Sequence, residues 1–297
     1  MRVLDAAQTR AALDPQRVLD AVALALIALS RGEVSAPPRI AALAPAGLLG
    51  AMPAYVPGLG LAAKLVSVFA DPAKPGRSSH RGLVALFDEH DGRPLSVVDA
   101  EPLTAVRTAA SATLSLRVRG RQPDCIAIVG TGVQATAQLA MLAVTRPQTP
   151  VIVAGRDPER ARDLARLHPH ADSASIEDAV RASDAVFCCT GAREPVLRRS
   201  WLRAYAHVSS VGGSHGHELD AETIHDGLLY AEWLGAATSA PPAGAYELQG
   251  IDPARIVMLG AVLAGDHPVV DDRLTVFKST GHGALDVAAA AVVDASF

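Results

Sequence analysis

The sequence predicts an α/β fold, with a doubly wound parallel sheet in the second half and a mostly antiparallel sheet in the first. Three observations carry this. The run Ile126-Ala127-Ile128-Val129-Gly130-Thr131-Gly132-Val133-Gln134-Ala135 passes from an apolar β-like segment through Gly-x-Gly-x-x-Ala into an Ala/Leu-rich helical pattern. From Cys125 onward, short apolar runs alternate with helical ones, the rhythm of parallel strands joined by crossover helices. Between Pro37 and Asp99, short β-like runs follow one another with only Pro- and Gly-containing breaks.

Each element has a local reason. Asp14-Pro15 opens a helix that continues over Arg17–Ser30, with Asp as N-cap and Pro in the first turn. Strands are expected at Ile40–Leu43, Gly60–Phe69, Gly82–Phe87 and Leu95–Val98, and His90-Asp91-Gly92 marks a hairpin turn. A helix with Pro at its start follows over Pro102–Val118. Parallel strands are expected at Cys125–Val129, Pro150–Ala154, Ala185–Cys189, His207–Val211 and Leu228–Ala231. Helices at Pro158–Leu167 and Ser175–Ala182 fall among them. Thr275–Ser279 is β-like, and Ala284–Ala295 reads as a final Ala/Val helix.

The 297 residues suffice for two domains, and a composition 49% hydrophobic but only 4% aromatic suits Ala-, Val- and Leu-rich helices packed on a sheet. A net charge of −4 without a long basic run gives no electrostatic basis for binding nucleic acid. Met1-Arg2-Val3-Leu4-Asp5 lacks a signal-peptide apolar core. Val18–Leu29 is too short and carries Asp20, so neither a leader nor a membrane span is expected. Cys125, Cys188 and Cys189 cannot form a disulfide framework and read as small apolar filler in a reducing cytoplasm. No Cys/His group has ligand spacing, so no metal site is expected.

Strand, glycine turn and helix N-terminus are the order a dinucleotide site requires. Gly130 permits the turn. Gly132 has no Cβ, so a pyrophosphate can approach free backbone N–H groups at the positive end of the helix dipole. After the second strand, Gly155 stands where an NAD enzyme places its ribose-binding acid, and Arg156 follows it. A guanidinium there pairs with a 2′-phosphate and stacks on adenine, which favours NADPH over NADH while leaving NADH open. Asp157 either contacts the ribose or caps the helix opening at Pro158, and the cap is the favoured reading.

Further segments occur in one order along the chain: Ala63-Lys64-Leu65-Val66-Ser67-Val68, Leu103-Thr104-Ala105-Val106-Arg107-Thr108-Ala109-Ala110-Ser111-Ala112, Gly130–Ala135, Val211-Gly212-Gly213 and Val276-Phe277-Lys278-Ser279-Thr280-Gly281. Together they resemble the ornithine cyclodeaminase/μ-crystallin family over nearly the whole chain. The resemblance implies a Rossmann-type NAD(P) domain, 120–279, inserted in a discontinuous α+β domain, 1–119 and 280–297, that binds substrate and forms a homodimer. It implies hydride exchange between a nicotinamide and the α-carbon of a small amino or imino acid. Arg39, Lys64 and Arg107 match its substrate-carboxylate positions, with Arg107 also near the cofactor. Lys64 and Arg107 have apolar or small neighbours on both sides, where a charge is retained for a partner. Arg39, after Pro37-Pro38, rests mainly on the match. On the cofactor side the resemblance carries over Ser79, His80, Thr131, Val133, Gln134, Arg156, Arg160, Thr190, Gly191, Val211 and Ser279.

One departure bears on the reaction. Ornithine cyclodeaminases place an acid–base Asp after the Gly-Gly of the fourth strand, and here Ser214 stands in that place. A serine hydroxyl has no useful pKa near neutrality, although it can hydrogen-bond an imine nitrogen or a water. Ser is also the pattern of the ketimine reductases. His215 and His217 read equally as acid–base groups or as polar loop residues. The favoured function is therefore reduction of Δ1-pyrroline-2-carboxylate or Δ1-piperideine-2-carboxylate to L-proline or L-pipecolate, with Lys64 and Ser214 at the chemistry. The alternatives are an alanine- or aspartate-type dehydrogenase or acyclic imine reductase, a cyclodeaminase, and a non-catalytic binder of NADPH and a carboxylated ligand.

Overall fold

The computed structural model describes residues 1–70, 78–213 and 216–297, with the backbone alone described at 70 and 78–80. The strands are β1 (Arg2–Leu4), β2 (Ile40–Ala44), β3 (Gly47–Val56), β4 (Gly60–Ala70), β5 (Ser78–Phe87), β6 (Pro94–Asp99), β7 (Ile126–Val129), β8 (Val151–Ala154), β9 (Ala171–Ala174), β10 (Ala185–Cys188), β11 (His207–Ser210), β12 (Leu228–Ala231), β13 (Ile256–Met258) and β14 (Thr275–Lys278). The helices are α1 (Ala6–Ala12), α2 (Pro15–Ser30), α3 (Ala100–Ser115), α4 (Val133–Thr145), α5 (Pro158–Ala165), α6 (Ile176–Ala182), α7 (Ala221–Asp226), α8 (Gly235–Thr238), α9 (Leu259–Leu263) and α10 (Gly283–Asp294). The chain divides into two compact units, Met1–Arg107 with His282–Phe297, and Thr108–Gly281.

The first unit is built on a six-stranded sheet in the order β1-β6-β5-β4-β3-β2, antiparallel throughout except for the β1–β6 pair. Helix α2 starts as its Asp-Pro signal requires, with Asp14 Oδ1 accepting from the Arg17 N–H at 2.8 Å. Helix α10 packs on α2 and on β3, β4, β5 and β6. The sheet is amphipathic by its period of two. Val56, Ala62, Val84, Leu86 and Val98 are buried, whereas Leu49, Leu61, Phe69 and Leu83, on the other face by register, remain 38–49% exposed. A cavity of ≈ 290 Å³ involves Pro37, Pro53, Tyr55, Leu61 and Phe87.

The second unit is an eight-stranded, wholly parallel sheet in the order β13-β12-β14-β11-β10-β7-β8-β9. Its strands serve two cores. Ile126, Ile128, Ala185 and Phe187 join the cluster that includes Leu139, Leu142 and Leu164. Ala127, Val129, Val186 and Cys188 join the cluster that includes Leu197, Leu202 and Ile224. Successive residues of one strand thus face opposite layers, as in a doubly wound fold. Burial pushes the Cys188 and Cys189 thiols up, which keeps them unreactive.

Several elements depart from expectation. Strand β3 was not expected, because two glycines and Pro53 weaken its β-signal. Short β1, β9 and β13 were also unexpected; β1, β9 and β13 each lie at a sheet edge, where sequence patterning is weakest. Helix α1 is announced by a capping box in which Asp5 accepts from the Gln8 N–H and Gln8 accepts from the Asp5 N–H. The helix expected over 102–118 starts at Ala100 and ends at Ser115, and a 3₁₀ turn, Leu116–Val118, completes it.

Candidate active site

In the first unit, strand β4 and helix α3 deliver two cations to one carboxylate. Lys64 lies on the buried face of β4, opposite Met52 and Val84, and Arg107 lies on α3. Asp286, in the first turn of α10, meets both. Lys64 Nζ is 2.9 Å from Asp286 Oδ2 and donates to Oδ1 at 3.1 Å; Arg107 Nε donates to Oδ1 at 3.1 Å. All three side chains are no more than 6% exposed. Among the described residues, the two terminal nitrogens of Arg107 make no hydrogen bond or ion pair, so its forked edge is left over. Burial, with Arg107 and Arg39 adding to it, outweighs Asp286 and lowers the Lys64 ammonium to about 8. Burial opposes ionisation of Asp286, but the adjoining Lys64 and Arg107 prevail and hold its carboxyl below the usual range. Arg39 is exposed yet close enough to act on Lys64. Among the described residues the cluster brings Lys64, Arg107 and Arg39 to the single carboxylate of Asp286, a composition that attracts a small anion.

In the second unit, β7 runs straight into the glycine turn. Gly130 has φ +131°, and a Cβ there would strike the carbonyl oxygen of Cys189 at the end of neighbouring β10. Only glycine fits both the angle and the approach. Gly132 differs: its backbone is extended, and a Cβ would meet nothing within 4 Å. The fold itself does not require glycine at 132, so the open space suits a ligand. Helix α4 starts there without a side-chain cap, leaving its first N–H groups unused by any side chain. Gln134 Oε1 is buried without a hydrogen-bond partner at the same end. Gly191, after β10, also faces open space. These features fit a dinucleotide pyrophosphate at the point where strand order reverses between β7 and β10.

The adenosine-side residues take distinct parts. Asp157 is the N-cap of α5, its Oδ1 accepting from the Glu159 and Arg160 N–H groups at 3.0 and 3.2 Å. Arg160 Nη2 donates to the Thr131 carbonyl at 3.1 Å and so braces the turn. A Cβ at Gly155 would come within 2.8 Å of Thr131 Cγ2, so a larger residue there would press on the turn. Arg156 is exposed and makes no ion pair among the described residues. Val133 is 60% exposed at the start of α4.

Beyond β10, β11 and β14 lies a buried polar network. Glu218 Oε1 accepts from the Thr190 N–H and hydroxyl at 2.8 and 2.6 Å. Its Oε2 accepts from the Ser210 hydroxyl and the Gly212 N–H at 2.6 and 2.9 Å. Lys278 donates to Glu247 Oε1 at 3.2 Å and to the Ser210 hydroxyl. Gly213, at φ +79°, has Lys278 and Glu247 where a Cβ would go. Val211 N–H donates to the Cys188 carbonyl. Ser279 is buried, and its hydroxyl donates to Glu232 at 2.9 Å within this unit. The Ser79 and His80 side chains, and Ser214 and His215 altogether, lie outside the described residues.

Sequence reasoning brought Lys64 and Arg107 forward but missed Asp286, Glu218, Glu247 and Lys278. For Asp286 the signal was available: it is the one acid in the otherwise apolar stretch 284–293.

Residues 2–297 match the ornithine cyclodeaminase/mu-crystallin family. The chain belongs to this family. It is similar to the ketimine reductase mu-crystallin of Mus musculus, with 32% identity over 254 residues, 83% of this chain and 80% of that protein. It is also similar to the Delta(1)-pyrroline-2-carboxylate reductase of Paracoccus denitrificans, 30% identical over 84% of this chain and 83% of that protein. Among solved structures, the Delta(1)-pyrroline-2-carboxylate reductase of Thermococcus litoralis, in complex with NADH and L-proline, superposes with a TM-score of 0.87. It is 25% identical and covers 100% of this chain and 97% of that one. The ornithine cyclodeaminase/mu-crystallin assignment therefore spans both units of the chain.

Proposed function

We propose that this chain is an NAD(P)H-dependent reductase of a cyclic α-imino acid, converting Δ1-pyrroline-2-carboxylate or Δ1-piperideine-2-carboxylate into L-proline or L-pipecolate. The observation that carries this reading is the buried Lys64–Asp286–Arg107 cluster with the forked edge of Arg107 left over. Relatives named as reductases of C=N bonds support it. In this reading the first unit holds the imino acid and pairs with a second copy, and the second unit holds the dinucleotide.

The turn at 130–134, Arg156 and the segment Thr190-Gly191 would hold the reduced dinucleotide, whose nicotinamide ring would supply the hydride. The chain's own residues supply the rest. Arg107 takes the substrate carboxylate on its terminal nitrogens, and Arg39 adds positive charge at the exposed side. Orientation of this kind is worth a large part of the barrier for hydride transfer. Reduction of C=N needs a hydride at carbon and a proton at nitrogen. Lys64, lowered to about 8, is protonated at neutral pH yet yields its proton readily, so it serves as proton source. Ser214 in place of the cyclodeaminase Asp leaves no carboxylate at that position for deamination. Arg156, with Gly155 beside it and Asp157 committed as a cap, favours a 2′-phosphate and hence NADPH.

The test follows nicotinamide oxidation with both cyclic imines and with pyruvate plus ammonia. Rapid oxidation with a cyclic imine, and a fall in kcat/KM of roughly 10²–10⁴-fold in Lys64→Gln, are expected. Oxidation only with pyruvate and ammonia, or ammonia release from ornithine, would overturn the reading. Tight NADPH binding with no oxidation of any substrate would leave a binding protein.

A further inference from the structure

We infer that Asp286 is a positioning residue of this reductase, fixing how Arg107 presents its guanidinium and keeping Lys64 charged. The inference rests on the reductase reading above. Its geometry is specific. Lys64 comes from a strand, Arg107 from a helix whose second half already belongs to the inserted unit, and Asp286 from the helix that follows that unit. One oxygen of Asp286, Oδ1, receives both Lys64 Nζ and Arg107 Nε, while Oδ2 lies 2.9 Å from Lys64 Nζ.

Two consequences follow. Because Asp286 occupies the Nε position, Arg107 is held with its terminal nitrogens forward, the orientation for end-on pairing with a carboxylate. Without Asp286 the guanidinium can turn, and a side-on pairing through Nε competes with the productive one. Among the described residues, the charged groups that act on Lys64 are Asp286 on α10, Arg107 on α3 and Arg39 ahead of β2. His282, also on α10's side, is neighboured by Asp286, Arg39 and Arg107, and burial lowers it to about 4, so it is neutral at working pH. Asp286 is thus the anion that offsets two cations and burial at Lys64. The first turn of α10 suits it, since the positive end of the helix dipole stabilises a carboxylate there. His282 secures that turn by accepting the Ala284 N–H on Nδ1 at 3.2 Å.

The experiment compares the pH profile of kcat/KM in the wild type, Asp286→Asn and Asp286→Glu, with calorimetric binding of pyrrole-2-carboxylate, a planar unreactive carboxylate. In Asp286→Asn the alkaline limb, set by loss of the Lys64 proton, moves down by about 1–3 pH units. Its pyrrole-2-carboxylate affinity falls about tenfold or more, while dinucleotide affinity is unchanged. Asp286→Glu keeps the charge and holds the limb near wild type, with the analogue still weakened by the one-methylene displacement. If Asp286→Asn does not fold, Asp286→Glu decides: a limb displaced downward there overturns the inference. A folded Asp286→Asn with the wild-type limb and analogue affinity overturns it as well. A wild type without imine reduction overturns the reductase reading instead, and is seen before any variant is made.

Discussion

At the scale of single residues, the site depends on which charges the fold has already used. Asp157 and Arg156 are adjacent, yet Asp157 has two helix N–H groups on one oxygen whereas Arg156 stands exposed without an ion pair among the described residues. The acid is spent on α5 and the guanidinium is available. Arg156→Ala is therefore expected to weaken NADPH roughly 10–100-fold, the loss of one charge-assisted contact, and to weaken NADH less, by the lost stacking on adenine alone. Titration of both nucleotides against nicotinamide fluorescence measures the ratio; equal effects on the two would show that Arg156 does not read the phosphate. Lys64 and Arg107 were legible in the sequence because charges in apolar surroundings need partners. Asp286 stood out by the same rule, as an acid in an apolar stretch, but its pairing with Arg107, 179 residues earlier, was not legible, since nothing local links α10 to α3.

At the scale of elements, the strand–turn–helix at β7–α4 separates two roles that a glycine motif blurs. Gly130 is required by the protein: φ is +131°, and the Cys189 carbonyl fills the space of a Cβ. Gly132 has room around it and ordinary backbone. Gly130→Ala should lower stability by about 1–3 kcal/mol or more, visible as a lower Tm without any ligand. Gly132→Ala should leave Tm in place and weaken dinucleotide binding. A Gly132→Ala protein that binds NADPH as tightly as wild type would remove the pyrophosphate from this turn. The strong elements were readable because periodic apolar runs coincide with a cap, as at Asp14-Pro15, or with a glycine turn, as at 126–135. Strands β3, β9 and β13 were not, because neighbouring strands rather than their own residues specify them.

At the scale of the molecule, the first unit's sheet has one face covered by helices and one face bearing Leu49, Leu61, Phe69 and Leu83 in the open. A sheet face this rich in exposed apolar side chains suits association, and in the reading proposed above the partner is a second copy of this chain. Leu61→Asp with Leu83→Asp should convert a dimer to a monomer in light scattering after size exclusion, with the fold kept, because these side chains support no core of their own sheet. A wild-type monomer at micromolar concentration would sink this assignment.

The sequence by itself determined the parallel-sheet half, the antiparallel half, the glycine turn and the two principal cations, because each is written in local periodicity, turn chemistry or a charge set among apolar neighbours. Tertiary structure alone decided which acid joins those cations and which atoms fill, or leave empty, the space beside each glycine. It also decided that Glu218 ties the ends of β10 and β11 together. Those are contacts between residues far apart in the chain, made when strands and helices pack, and no local pattern encodes them.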